Sequence, residues 1–271
     1  MNSIQQVFQN QKQQDSGCLI GYITAGDPTP EQTPAIADAL IRGGVDILEL
    51  GLPFSDPIAD GPTIQNASLR ALKAGTTPTK VLEIAREIRS QHDIPIVIMT
   101  YYNPVFKYGV KQFLTKAKSV GINGIIVPDL PVEEADEYRN AAKDANLNAI
   151  FLASPSTSEE RLQKIVDASQ GFLYLVSRFG VTGAQAAVAD TTVELIKKVQ
   201  LVTAGKVPLA VGFGISKPEH VKRVITSGAD AAIVGSAFIN LIVSHSSNQD
   251  AMLKALEKTA RELKEATRLR R

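Results

Sequence analysis

The sequence predicts an α/β fold, a single-domain TIM (β/α)8 barrel spanning residues 1–271, and three observations carry that prediction. Short apolar segments rich in β-branched residues recur eight times, each followed by a segment with helical spacing. That alternation implies parallel strands joined by helical crossovers. The strand segments are apolar almost throughout, as strands covered on both faces are. Polar and Gly-rich runs then sit at the C-terminal ends of several different strands, where barrel enzymes build their sites. A doubly wound open sheet shares the alternation, but the count of eight and the spread of polar signals favour the barrel. No linker, low-complexity tract or shift in composition marks a domain boundary, and barrels commonly run to about 250 residues as one domain.

In chain order, residues 1–14 come first, with Ile4, Val7 and Phe8 on one narrow helical face. They predict a short amphipathic helix closing one end of the domain. The strands are expected at 18–24, 45–51, 95–101, 124–129, 148–153, 171–177, 208–212 and 230–235. The helices between them are expected at 31–42, 78–90, 110–120, 133–145, 159–168, 191–203 and 218–227, with Thr157 and Ser216 as candidate caps. Extra short helices are expected after strand two, over 63–73, and after strand eight, over 238–243. The connections 53–75 and 178–190 are long for a compact domain, which marks them as functional segments or lids.

Composition narrows the function. Hydrophobic residues are 44% and charged residues 21%, enough for a substantial core, and the net charge of +1 offers no field to attract nucleic acid or an acidic membrane. No apolar run approaches the ~18 residues of a membrane span, and the N-terminus lacks the basic start and apolar centre of a secretion signal. The lone Cys18 sits in an apolar run and reads as core; with no second cysteine it fits a reducing compartment. A soluble, cytoplasmic protein is expected.

Two Gly-bearing strand ends point to an anion. Strand seven runs into Val211-Gly212-Phe213-Gly214-Ile215-Ser216, and strand eight into Val234-Gly235-Ser236-Ala237, each before a helix. Glycine lets backbone N–H groups approach a ligand closely, and a helix N-terminus adds unpaired donors. Either turn alone is explained by tight strand-to-helix geometry. Together, after strands seven and eight, they match the place where barrels bind phosphate.

Carboxylates point to acid–base work. Glu49 lies within strand two, Val45-Asp46-Ile47-Leu48-Glu49-Leu50-Gly51, where alternation places it with Val45 and Ile47. Burying it there is costly and raises its pKa, poising it to give and take a proton near neutrality. None of the eight strand segments contains Lys or Arg, so an ionic partner would have to reach in from a loop. The loop beyond offers Asp56 and Asp60 among prolines, where turn chemistry alone also explains Asp. Asp129, at the end of strand four, reads as a hydrogen-bond acceptor for loop backbone. No strand carries the lysine of a Schiff-base aldolase, and His92, His220 and His245 are too scattered for a zinc site, so no metal is expected.

The run Gly51-Leu-Pro-Phe-Ser-Asp-Pro-Ile-Ala-Asp-Gly-Pro62 after Leu48-Glu49-Leu50 resembles the signature of tryptophan synthase alpha chains. Tyr174 with Ser177-Arg-Phe-Gly-Val-Thr-Gly183, and Gly212-Phe-Gly-Ile-Ser216 with Gly235-Ser236, resemble that family too, and the likeness runs in order from about Gly21 to Ile242. It implies a lyase that cleaves indole-3-glycerol phosphate to indole and glyceraldehyde 3-phosphate, with no cofactor in this subunit. By the resemblance, Glu49 shuttles the proton and Asp60 stabilises charge developing at the indole N–H. Tyr174 lies near the substrate, and Thr182 and Gly183 belong to a closing loop in which Thr182 bonds Asp60. Gly183, Phe213, Gly214, Gly235 and Ser236 contact the phosphate, while Tyr22, Met99, Tyr101 and Ile126 form the indole pocket. The family often has Phe and Leu where this chain has Tyr22 and Met99. A beta-chain partner holding pyridoxal phosphate is implied, in an αββα complex through which indole passes by a tunnel. The loops 53–60 and 103–108 are where it would dock. A sugar-phosphate isomerase using a carboxylate pair and a non-catalytic allosteric partner are the two other readings.

Overall fold

The computed structural model describes residues 3–176, 185–212 and 214–269, with side chains left undescribed for 185–191. All strand pairings are parallel, in the order β5-β4-β3-β2-β1-β9-β8-β7-β6. The strands are β1 (Cys18–Thr24), β2 (Ile47–Gly51), β3 (Ile96–Met99), β4 (Gly124–Ile126), β5 (Asn148–Ile150), β6 (Leu152–Ala153), β7 (Leu173–Val176), β8 (Leu209–Gly212) and β9 (Ala231–Val234). The two ends of that order, β5 and β6, are separated in the chain by Phe151 alone. One predicted strand is therefore interrupted, with its first part pairing β4 and its second pairing β7, and the sheet comes round on itself as an eight-position barrel.

Period-two alternation sorts the strand residues between two cores. Cys18, Ile20, Tyr22, Ile47, Val97, Met99, Ile126, Ile150, Tyr174, Ala210 and Ile233 pack with one another inside the barrel. Their neighbours Leu19, Leu48, Leu50, Ile96, Ile98, Ile125, Leu173, Val211 and Ala232 pack outward against the helices. Val45 departs from expectation. It precedes β2 and belongs to the outer core, so Ile47 and Glu49 share the inward face without it.

The helices surround this sheet. They are α1 (Ser3–Gln13), α2 (Thr33–Arg42), α3 (Pro62–Lys73), α4 (Pro78–Gln91), α5 (Tyr102–Tyr108), α6 (Val110–Ser119), α7 (Asp136–Asp144), α8 (Glu159–Ala168), α9 (Gln185–Thr203), α10 (Pro218–Thr226), α11 (Ser236–Ser244) and α12 (Gln249–Glu265). α1 closes the N-terminal end of the barrel: Ile4 and Phe8 are buried in the inner core, and the Phe8 ring lies 6.0 Å from that of Phe172. α3 and α11 are the extra helices expected after the second and last strands.

Four expectations need correction. α12 goes beyond the predicted helices, although Met252, Leu256, Ala260 and Leu263 form a regular buried stripe and Asn248 caps it through Ala251 N–H at 3.0 Å. The segment 103–108 is helical, not a loop; Pro104 falls in the first turn of α5, where its missing N–H costs no hydrogen bond. The cap of α8 is Ser158, which accepts from Arg161 N–H, while Thr157 accepts from Ser154 N–H at 3.0 Å. Lys217, not Ser216, occupies the N-cap of α10, without a side-chain bond. Among the described residues no helix is long and apolar enough to cross a membrane.

Candidate active site at the C-terminal end of the barrel

Strand β2 carries Glu49 into the barrel interior, paired in register with Tyr22 on β1 and Val97 on β3. Its carboxyl group is buried, and neither oxygen has a hydrogen-bond partner among the described residues. Burial first, and the charge of Asp60 second, push its pKa up to about 8. Near neutrality Glu49 is thus mostly a neutral acid that can deliver a proton.

Asp60 comes from the loop between β2 and α3. Its carboxylate accepts the Tyr101 hydroxyl at 3.0 Å, and the same hydroxyl accepts Ala59 N–H at 2.9 Å. Burial raises the Asp60 pKa to about 6, against the lowering effect of the Tyr101 bond. The two carboxyls interact, so they titrate as a pair. Between about pH 6 and 8 the pair holds one proton, mostly on Glu49, with the negative charge on Asp60.

A single pocket gathers Tyr22, Glu49, Asp60, Met99, Tyr174, Gly214, Gly235 and Ser236 from the predicted site, with Ile64, Ile215 and Ile233 completing its wall. Tyr101 supports it from behind Asp60, and Ile126 packs in the inner core with Met99 and Tyr174 without lining the opening. Thr182, Gly183 and Phe213 lie outside the described residues. Of the three isoleucines missed from sequence, Ile233 was accessible to alternation, since it shares the inward face of β9 with Ala231. Ile64 and Ile215 depend on how α3 and the turn after β8 fold back over the barrel.

Two glycines shape the tyrosines. A Cβ on Gly51 would stand 2.2 Å from the Tyr22 hydroxyl, and one on Gly212 would stand 2.4 Å from that of Tyr174. Each ring therefore reaches across a strand that has no side chain to block it. The Tyr22 hydroxyl also bonds Thr24 Oγ1 at 3.2 Å. At the other side of the pocket, Gly214 adopts a φ of +81°, and Gly235 directly precedes α11, so the first turn of that helix opens beside Ser236. Unpaired N–H groups and the helix dipole at such a position favour an anion.

The remaining candidates are structural or peripheral. Asp129 accepts Tyr102 N–H at 2.9 Å, a link between the ends of β3 and β4. Asp56 is exposed and bonds Ser55. Ile58 is 82% exposed and Phe106 62%, and they fall in the two segments expected to meet a partner.

Comparisons with known proteins agree on one family. The family model "Tryptophan synthase alpha chain" matches residues 8–268. The tryptophan synthase alpha chain of Methanosarcina barkeri is 49% identical over 255 residues, covering 94% of each chain. That of Methanopyrus kandleri is also 49% identical, over 88% of this chain and 86% of its own. Among solved structures, tryptophan synthase subunit alpha from Legionella pneumophila superposes with a TM-score of 0.88 at 38% identity, covering 98% of both chains. A chain of the tryptophan synthase complex from Pyrococcus furiosus gives a TM-score of 0.83 at 40% identity, covering 92% of this chain and 98% of its own. These matches lend no support to a sugar-phosphate isomerase or to a barrel kept only as an allosteric partner. The chain belongs to the tryptophan synthase alpha-chain family, and its fold is that family's TIM barrel.

Proposed function

We propose that this chain, folded as one barrel domain, is a lyase that cleaves indole-3-glycerol phosphate into indole and glyceraldehyde 3-phosphate. The observation that carries the reading is the buried, unpartnered Glu49 facing the same pocket as an ionised Asp60. Neutral Glu49 protonates indole C3, and the positive charge that develops on the ring nitrogen is met by Asp60. Glu49, now a carboxylate, removes the proton from the glycerol hydroxyl next to the ring. The electron pair of that O–H bond forms the aldehyde carbonyl as the carbon–carbon bond breaks. Its electrons return to the indole, neutralising the ring, and Glu49 ends protonated as it began. A single carboxyl that both gives and takes a proton needs a pKa near the working pH, which burial supplies.

The substrate's phosphate would sit at Gly214, Gly235 and Ser236; Gly183 and Phe213 as further phosphate contacts and Thr182 as a partner of Asp60 follow from the family resemblance and lie outside the described residues. Its indole lies among Tyr22, Met99, Tyr101, Ile126 and Tyr174. The subunit uses no cofactor of its own and works in the cytoplasm. Its partner is a beta chain carrying pyridoxal phosphate, in an αββα assembly, docked over Ile58 and the α5 face that presents Phe106. The similar P. furiosus chain comes from a tryptophan synthase complex, which supports a partner of that kind.

Indole release from indole-3-glycerol phosphate, by the purified chain with and without a beta chain, tests this reading. Slow release that rises sharply with the partner is expected. Strong release indifferent to the partner would leave a free-standing lyase, and none from folded protein in either condition sinks the catalytic assignment.

A further inference from the structure

Asp60 sits in a loop without regular structure, so its place over the pocket must be imposed from outside. Besides Tyr101, its backbone carbonyl accepts Gln65 Nε2 at 2.9 Å, and Gln65 belongs to the first turn of α3. That helix also supplies Ile64 to the pocket wall. Yet the apolar anchoring of α3 is modest: its fully buried residues are Ala67, Ser68 and Ala71, all small, Ile64 packs partly buried against both cores, and Leu69 faces solvent. A helix of twelve residues has little stability of its own. Its firmest tie is Arg70, whose Nε and Nη2 donate to Asp27 Oδ1 and Oδ2, each at 2.7 Å. The Asp27 side chain is fully buried, and Arg70 is 35% exposed. Asp27 lies in the turn just past β1, where its own N–H bonds Thr24 O at 3.1 Å. A two-pronged guanidinium–carboxylate pair fixes direction as well as distance, which a point charge does not.

We propose that Arg70 is a positioning residue for Asp60: its paired bonds to Asp27 fix α3 against the rim of β1, and α3 holds Asp60 through Gln65. The proposal rests on the reading of Asp60 as the group facing the indole nitrogen. It accounts for an ion pair, half of it fully buried, that touches no part of the pocket. A desolvated pair is weak evidence for stability alone, whereas one that sets the register of a catalytic wall has a use.

Removing Arg70 by itself leaves Asp27 buried without a counter-charge and endangers the fold. The decisive variant therefore replaces both, Asp27→Leu with Arg70→Met, and folding is checked by circular dichroism. Steady-state cleavage and an NMR titration of the Asp60 carboxyl are measured in this variant and the wild type. The expected result is a kcat lower by about 10- to 100-fold with KM changed less than about threefold, as for a misplaced catalytic group. Asp60 titrates closer to the ordinary carboxylate range, because a loosened wall admits water. Gln65→Met lowers kcat by itself and adds little to the double variant, since both act along one path. Arg70→Lys, keeping the charge but not the fork, falls between. Unchanged kcat with an unchanged Asp60 titration overturns the proposal. So does a fall in kcat with a matching rise in KM while Asp60 titrates as before, which is the mark of a merely structural tie. If the wild type releases no indole, the functional reading fails and the Asp60 titration alone decides the positioning.

Discussion

Asp46, just before β2, and Glu49, at its centre, stand three residues apart, both largely shielded from solvent, and their surroundings could hardly differ more. Asp46, at the N-terminal end, accepts Leu19 N–H and Lys264 Nζ, each at 2.7 Å, and Gln11 Nε2 at 3.0 Å. Lys264 is itself committed to Gln11 Oε1 and Gly17 O, so α1, β1, β2 and α12 meet at one fully bonded charge pair. Glu49, on the inward face farther along the strand, has neither counter-charge nor donor among the described residues. The same pattern continues around the N-terminal rim, where Asp230 accepts Leu209 N–H at 2.8 Å and Asn123 accepts Ile96 N–H at 2.9 Å. A bonded carboxylate locks strands together, and its bonds oppose the upward push that burial gives the pKa of Asp46 and Asp230; an unbonded one holds its proton and is available for chemistry. One end of the barrel is tied together by bonded side chains and, on the proposed function, the other serves the reaction, a division common to the fold.

The largest effect that can break this comparison is at Glu49. Glu49→Gln should lower cleavage by roughly 10²–10⁴-fold, the usual contribution of a positioned acid–base group, while phosphate-ligand affinity persists. Stability should move the other way. The folded-state pKa of about 8 lies above the unfolded value near 4.5, so stability is full below the unfolded pKa and falls as pH rises through the folded one. At pH 9 the glutamine variant should therefore be the more stable protein, by on the order of a few kcal/mol, with little difference near pH 5. Urea unfolding at both pH values measures this, and a variant less stable at pH 9 would contradict the isolation of Glu49.

Lys264→Met is the mirror experiment. It leaves Asp46 buried beside an apolar side chain, and the loss should be about 3 kcal/mol, the lower part of the usual range because both groups keep some solvent contact. Cleavage per folded molecule should be unaffected. Chemical denaturation together with active-site titration separates the two outcomes, and a catalytic defect at full folding would mean that the two ends are coupled.

Tyr101→Phe sharpens the comparison with a smaller effect. The Tyr101 hydroxyl is the side-chain donor that holds the Asp60 pKa down against burial. Without it the Asp60 pKa should rise from about 6 and the acid limb of the kcat/KM profile should move to higher pH. The basic limb, near 8 and carried mostly by Glu49, should move less. One lost hydrogen bond to a charged group corresponds to roughly a tenfold loss of activity at neutral pH. An acid limb that moves down, or a basic limb that moves alone, would show that the assignment of charge within the pair is reversed.

Much of this division was legible before the structure. Glu49 stood out because a carboxylate within an apolar strand has few bland explanations, and the glycines after β8 and β9 because they sat at two adjacent strand ends. Asp46, one residue before β2, drew no notice, since its partner lies on α12, more than two hundred positions away in the chain. α12 went unassigned although its stripe of Met252, Leu256, Ala260 and Leu263 is a plain helical signal. The helical state of α5 was hidden by Pro104, which reads as a turn unless its place in the first helical turn is known. Ile64 and the Asp27–Arg70 pair lay beyond periodicity altogether, because they follow from how α3 folds back across the rim of β1.

Met99 supplies the smallest effect and the finest test of how the reactive end is built. Its side chain is buried in the inner core and lines the pocket. Leucine and methionine have similar volumes, and such exchanges in a core usually cost less than about 1.5 kcal/mol. If Met99 only fills space beside the carboxyl pair, Met99→Leu should leave both limbs of the pH profile in place and change kcat/KM by no more than about threefold. The flexible thioether adapts to ring substituents where a branched side chain does not, so any difference should appear with ring-substituted indole-3-glycerol phosphates before it appears with the unsubstituted substrate. A shift in either limb would instead mean that Met99 helps to keep water from Glu49, and that the absence of a partner at this end of β2 is maintained by packing around the carboxyl as well as by the lack of donors.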